Sequence, residues 1–138
     1  MFFGEYEYKV DGKGRLPLPP KFRQEFKPGL ILTPGPEKCI AAYKTDYFKQ
    51  IADELASQSQ KITEKEEKRR LRRSQRFTFG NAFDVSLDGQ GRIALPTNLK
   101  EYAQITDSVV IVGANDYIEI WNPEMWETEK MEAEKQEL

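Results

Sequence analysis

The pattern Asp-Gly-x-Gly-Arg occurs twice in this chain, at residues 11–15 and 88–92. An arginine guanidinium can contact phosphate oxygens or read the O6 and N7 atoms of guanine, so nucleic acid is one ligand that this pattern could bind. The aspartate of each pattern could hold its arginine in a bidentate ion pair. The same pair could also close a turn without any ligand, since most surface ion pairs are structural or nearly neutral.

Other ligands fit the pattern poorly. Its glycines lack the spacing of a nucleotide-phosphate loop and of a dinucleotide-binding loop. In a calcium loop, Lys13 and Arg15 would occupy the third and fifth ligand positions, where cations repel the metal ion. We therefore expect neither a metal nor a cofactor in this protein.

The composition excludes most catalytic chemistry. The chain has no histidine and one cysteine, Cys39, which rules out Ser-His-Asp and Cys-His catalysis and leaves too few ligands for zinc. An enzyme that uses carboxylates is the weakest hypothesis, because the acids of the motif lie beside arginines that would keep them ionised. We expect no catalytic residues, and we interpret Cys39 as an ordinary buried thiol.

The same composition indicates a cytoplasmic protein. The apolar runs are far too short to span a bilayer, and the first residues lack the pattern of a secretory signal, so no membrane partner is expected. A single cysteine cannot form an intrachain disulfide, which suits a reducing compartment.

Charge is distributed unevenly along the chain. The formal net charge is −2, yet residues 61–76 hold eight Lys or Arg and three Glu, and residues 124–138 hold six Glu and two Lys. Because salt screens fields over about 8–10 Å, a basic face can coexist with an acidic tail. The arginine run within residues 69–76 could bind phosphates, or it could be a solvated helix face or an ion-pair strip between subunits.

An internal repeat dominates the organisation of the chain. Residues 11–19 and 88–96 are identical at six of nine positions, and alternating apolar residues precede both segments. Each copy predicts a half-buried strand, a tight glycine turn and a short returning strand that ends at proline. A short helix is predicted next, at 20–26 and at 97–103 with Thr97 as N-cap, and then two strands, at 30–33 and 38–43 and at 108–113 and 117–121.

Longer helices are predicted between and after the copies. One runs from Thr45 or Asp46 to Ser57 and is followed by a polar break over residues 57–60. A second runs over residues 64–77, with Thr63 and Glu66 as a capping box. The last begins at Pro123 and frays toward Leu138. Trp121 and Trp126 are expected to pack in the core or between subunits rather than stack on bases.

The repeat predicts an α+β fold in which two modules share one core. A single module has too few strands to bury both faces, so we expect a pseudo-symmetric pair with a barrel-like core and peripheral helices. The expected parts are a first module over residues 1–60, a basic linking helix over 61–77 and a second module over 78–138.

Several segments of the sequence resemble the MraZ family. They are Gly4-Glu5-Tyr6, the two DGxGR motifs, Pro19-Pro20-Lys21-Phe22-Arg23, Lys38-Cys39 and Ile118-Glu119-Ile120-Trp121. This resemblance implies AbrB-like swapped-hairpin modules in a bacterial transcriptional regulator. It also implies a repressor, associated with the nucleoid, that binds G-rich direct repeats of double-stranded DNA upstream of the division and cell-wall gene cluster containing its own gene. The family forms closed homo-oligomeric rings.

Residue roles also follow from the resemblance. It implies that Lys13, Arg15 and Arg92 belong to the DNA-binding surface, with Lys9, Lys21, Arg23 and Gln90 as further candidates. The turn-forming and orienting residues would be Asp11, Gly12, Gly14, Asp88, Gly89 and Gly91. Gln90 stands where the first motif has Lys13, and Pro17 and Pro20 favour a short or edge strand, so the two hairpins need not act equally. The alternative is a ring that binds a protein partner and no DNA.

Overall fold

A computed structural model describes residues 1–137 of the 138-residue chain. The strands in this range are β1 (Glu5–Lys9), β2 (Arg15–Pro17), β3 (Leu30–Pro34), β4 (Ile40–Lys44), β5 (Phe83–Val85), β6 (Arg92–Ala94), β7 (Ser108–Gly113) and β8 (Ile118–Trp121). The α-helices are α1 (Pro20–Phe26), α2 (Thr45–Lys61), α3 (Lys65–Gly80), α4 (Thr97–Tyr102) and α5 (Pro123–Gln136). None of the helices among residues 1–137 has the length and apolar character that crossing a bilayer requires.

The strands form one large antiparallel sheet and one small ribbon. The large sheet has the order β1-β7-β8-β4-β3-β5, and β2 pairs with β6 in a separate two-stranded ribbon. Two strand pairs lie within a copy, β3 with β4 and β7 with β8. The other four join the two copies, since β1 pairs with β7, β5 with β3, β4 with β8 and β2 with β6. The α+β prediction is confirmed. No closed barrel is found among residues 1–137, because β2 and β6 form their own layer and do not join the edges of the sheet.

The hydrophobic core lies between the large sheet and a second layer made of the ribbon, α1 and α4. Leu32, Ile40 and Ile120 point into it from the sheet, and Leu16 and Ile93 point into it from the ribbon. All five side chains are at most 1% exposed. Each such burial stabilises the fold by about 1.5–3 kcal/mol, so the core ties the ribbon firmly to the sheet.

Helices α2 and α5 cover the opposite face of the sheet. Helix α3 packs against α2 and also reaches α4, where the rings of Phe77 and Tyr102 lie 5.6 Å apart. Tyr43 on β4 contacts Phe48 of α2 with ring centroids 5.7 Å apart, and Phe48 contacts Phe79 of α3 at 5.6 Å. Trp121 on β8, which is 2% exposed, contacts Trp126 of α5 at 5.5 Å. These contacts agree with the expectation that both tryptophans pack within the protein.

Two predicted features of the long helices are wrong. The predicted polar break at residues 57–60 does not occur, because α2 continues to Lys61, and the Ser59 hydroxyl accepts a hydrogen bond of 3.2 Å from the Gln75 side chain of α3. The predicted Thr63 and Glu66 capping box is replaced by Glu64, whose carboxylate accepts hydrogen bonds from two backbone amides of the first turn of α3. The contact between α2 and α3 and the cap formed by Glu64 thus outweigh the local sequence signals for a break and for a Thr63 cap.

The remaining helix boundaries lie closer to their predicted positions. Thr97 is the first residue of α4 rather than its N-cap, which is Pro96 and makes no side-chain capping bond. Helix α3 extends three residues beyond its predicted end, to Gly80. Helix α5 begins at Pro123 as predicted, with Asn122 as its cap. The predicted fraying at Leu138 lies outside the described residues.

Candidate nucleic-acid interface

The aspartate of each DGxGR motif organises the backbone of a tight turn. Asp11 Oδ1 accepts hydrogen bonds of 2.9 Å from the amides of Lys13 and Arg15. Asp88 Oδ1 accepts bonds of the same length from the amides of Gln90 and Arg92. In both aspartates the pKa is lowered, chiefly by the bond from the arginine amide, so the turns are held by ionised carboxylates at neutral pH.

Only the second glycine of each turn has a backbone conformation that side chains disfavour. Gly14 has φ +79° and Gly91 has φ +76°, both in the left-handed region. A Cβ at Gly91 would also collide with the Arg23 side chain. Gly12 and Gly89 have no positive φ, and a Cβ there would meet nothing within 4 Å. Of the four predicted turn glycines, the second of each pair is therefore the one whose backbone requires glycine.

The β2–β6 ribbon brings the two turns to one outward surface. Its register pairs Arg15 with Ala94, Leu16 with Ile93 and Pro17 with Arg92. Since Leu16 and Ile93 point into the core, Arg15 and Arg92 point away from it. Their positions are diagonal neighbours across the ribbon, which places such residues about 7–8 Å apart.

The two arginines differ in their ion pairs. Arg92 Nε donates to Asp88 Oδ2 at 2.9 Å, and Arg92 Nη1 lies 3.7 Å from Asp11 Oδ2. Arg15 forms no ion pair with any residue in the range 1–137. The predicted side-chain pair of Asp11 with Arg15 is thus replaced by a link from Asp11 to the opposite turn. Arg92 connects the turns, and the Arg15 guanidinium is left available to a ligand.

The structure brings some of the other candidate residues to this surface and holds others apart from it. Lys13 and Gln90 are exposed at the tips of the two turns. Arg23 packs against Gly91 and donates from Nε to the Leu18 carbonyl at 2.9 Å, so part of its donor capacity is used inside the protein. Lys21 instead lies over the rings of Phe3 and Tyr6, with its Nζ 4.6 and 5.2 Å from their centroids.

Lys9 also lies apart from the turns. It alternates with the core-facing Tyr8 along β1 and borders a groove beside Ser108 and Pro123 on the helix-covered side of the sheet. A cation that sequence reasoning missed, Lys27, lines a groove with Arg23 and the second turn. The sequence held a signal for this pair of cations, because Arg23 and Lys27 have the spacing i, i+4 and so share one helix face.

Cys39 is fully buried, and burial raises the pKa of its thiol far above the ordinary range. This state agrees with the interpretation of Cys39 as an inert buried thiol. Among residues 1–137, no group of acidic or cysteine side chains has an arrangement that could hold a metal ion.

Comparison with known proteins identifies the family of this chain. A family model described as "MraZ protein, putative antitoxin-like" matches residues 1–73 and 78–138. A protein of Dehalococcoides mccartyi (strain BAV1) named "Transcriptional regulator MraZ" is 49% identical over 125 residues, which cover 90% of this chain and 84% of the relative. A protein of the same name from Roseiflexus castenholzii is 41% identical over 123 residues, which cover 89% and 82% of the two chains.

These matches cover nearly the whole chain and both DGxGR motifs, and a family of transcriptional regulators is not a family of enzymes, as the composition predicted. These matches show that this chain belongs to the MraZ family.

Proposed function

We propose that this protein is a sequence-specific DNA-binding regulator of transcription and that the outer surface of the β2–β6 ribbon contacts the DNA. The observation that carries the proposal is the outward position of Arg15 on this ribbon without an intrachain ion pair among the described residues. A guanidinium that has no partner in its own protein can read guanine or contact phosphate. Relatives named as transcriptional regulators support the same function.

The residues of the surface take different roles in this proposal. Arg15 and Lys13 make the direct contacts of the first turn, and Gln90 makes neutral hydrogen bonds at the tip of the second. Arg92 keeps both turns in register through Asp11 and Asp88, and its remaining donors face the ligand. Arg23 with Lys27 adds positive charge beside the second turn, whereas Lys9 and Lys21 contribute at most to the general field.

We further propose that the chain consists of two AbrB-like modules with swapped hairpins, over residues 1–60 and 78–138, joined by the basic helix of residues 61–77. The strand order supports this division. When each strand of the large sheet is exchanged for its repeat counterpart, the order β1-β7-β8-β4-β3-β5 reads the same from the other end. In swapped hairpins of this kind, each module contributes one strand to the ribbon, β2 from the first and β6 from the second.

The biological target follows the resemblance to the family. We propose that the protein acts in the cytoplasm at the nucleoid, as a repressor of the division and cell-wall gene cluster that includes its own gene. G-rich direct repeats suit the outward-facing Arg15, because O6 and N7 of guanine accept a bidentate pair of hydrogen bonds.

A closed homo-oligomeric ring completes the proposal. Each subunit would offer one ribbon, and repeats spaced along the DNA would engage several ribbons at once. Linked binding events raise the overall affinity without new contacts, so strong binding does not require a large positive charge. This explains how a chain with a sequence pI near 5.4 could bind DNA.

The test is fluorescence anisotropy with promoter DNA over a series of salt concentrations. We expect the Arg15→Ala variant to lose about 1–3 kcal/mol of specific binding free energy, whereas Lys49→Ala on α2, on the other side of the sheet, keeps the wild-type affinity. Light scattering confirms that each variant keeps its assembly.

Unchanged affinity in a folded and assembled Arg15→Ala variant would remove Arg15 from the contact surface. If the wild-type protein forms its ring but shows no salt-dependent binding to DNA, the alternative of a protein-binding scaffold takes the place of the regulator.

A further inference from the structure

Helix α3 carries a continuous stripe of positive charge on its exposed side. The stripe consists of Lys65, Arg69, Arg72, Arg73 and Arg76, whose intervals of four, three, one and three residues place them on one helix face. All five side chains are exposed, and none forms an ion pair within residues 1–137. A helix face of this kind has no partner inside the described part of the chain.

Helix α5 carries a face of the opposite sign. Glu124, Glu127 and Glu134 lie on its exposed side together with Met131, which is 53% exposed. These three carboxylates have no ion pair with any residue of the described range. The other side of α5 is anchored to the sheet, where Trp126 Nε1 donates to Glu5 at 2.9 Å. The acidic face therefore points toward solvent.

The two faces match in size as well as in charge. Helix α3 has 16 residues and α5 has 14, which correspond to lengths of roughly 24 and 21 Å. Helix α3 contains seven cations and two carboxylates, and α5 contains five carboxylates and two cations. Complementary charge steers association and sets the register of an interface.

We propose that the basic stripe of α3 docks on the acidic face of α5 of a second copy of this chain. The contact joins different surfaces of the two copies, so repetition of it generates either a closed ring or an open filament. The inference rests on the self-association in the proposed function and names the surfaces that produce it. A second copy fits the stripe better than DNA does, because the acidic face of α5 supplies the carboxylates that the stripe lacks, and α3 contributes no strand to the DGxGR ribbon.

Charge reversal tests the contact in the full chain without DNA. Arg69→Glu with Arg73→Glu reverses the stripe, and Glu127→Lys with Glu134→Lys reverses the acidic face. Light scattering at low salt is expected to show loss of the wild-type oligomer in each double variant alone. An equimolar mixture is expected to regain a high mass, because each variant then supplies the charge that the other lacks. Circular dichroism verifies that both variants are folded.

The matched control is Lys68→Glu with Arg70→Glu, which changes the same charge on the same helix outside the stripe and is expected to keep the oligomer. Wild-type mass in all variants would overturn the inference and leave the proposed ring to other surfaces. A monomeric wild-type protein would overturn both this inference and the proposed ring. If the stripe variant keeps its mass and instead loses salt-dependent affinity for DNA, α3 is a nucleic-acid surface and the inference is wrong.

Discussion

Asp11 and Asp88 each hold two backbone amides, yet only Asp88 also binds the arginine of its own motif. Asp11 reaches across to Arg92 instead, at 3.7 Å, although both motifs have the same spacing. The Arg92 guanidinium pairs with both carboxylates, whereas the Arg15 guanidinium pairs with neither of them. In the second copy Arg92 therefore positions the turns, whereas in the first copy Arg15 stays available to a ligand.

The charge of Asp88 is expected to make stability depend on pH. Its pKa lies below the ordinary value of 3.8, first because of the hydrogen bond from the Arg92 amide. A lowered pKa in the folded state stabilises the protein above the unfolded value, and the contribution is lost as the pH falls through the folded value. The Asp88→Asn variant, which keeps the Oδ1 acceptor, should therefore lose less stability than the wild type below pH 3.8.

Urea unfolding at neutral pH and at several values below 3.8 measures this difference. Parallel curves for wild type and variant across the acid range would show that the Asp88 carboxylate does not support the turn.

Gly91 and Gly89 of the second turn allow a controlled test of how much stability depends on a glycine there. Gly91→Ala should destabilise the protein by about 1–3 kcal/mol, because it forces a side chain into the left-handed region and displaces Arg23. Gly89→Ala should change stability little, since the space around that position is open. Thermal unfolding of both variants checks the prediction, which fails if the two substitutions have equal effects.

At the scale of elements, the first turn of α3 depends on one side chain. Glu64 accepts hydrogen bonds of 3.1 and 2.7 Å from the amides of Glu66 and Glu67, which have no partner within the helix. Glu64→Ala should destabilise the protein by about 1 kcal/mol, and Thr63→Ala, which removes the residue that the sequence favoured as cap, should have no effect. Amide hydrogen exchange in the first turn of α3 separates a loss of the cap from a global change.

At the scale of the whole molecule, the strand pairing predicts that the two repeat copies unfold together. Leu32 on β3 is fully buried, and β3 pairs with β5 of the other copy. Leu32→Ala should therefore cost about 2–5 kcal/mol and lower the midpoint reported by the fluorescence of Trp121 and Trp126, both of which lie in the second copy. Lys49→Ala is the exposed control. An unchanged tryptophan midpoint would indicate independent halves.

The sequence alone determined the parts of this protein that depend on local patterns. The doubled DGxGR motif predicted both turns, and the alternation of apolar residues predicted the strands that follow α1 and α4 to within two residues. These features are local because turn geometry and strand burial depend on residues only a few positions apart. The absence of histidine likewise excluded the main catalytic mechanisms without any structure.

Only the tertiary structure decided how the two copies combine and what each motif residue contacts. The pairing of β2 with β6, which puts Arg15 and Arg92 on one surface, joins segments more than 70 residues apart. The partner of Asp11 and the packing of Arg23 against Gly91 follow from that pairing. Neither could be predicted from spacing, because the choice among several equally suitable partners is made by the packing of the whole core.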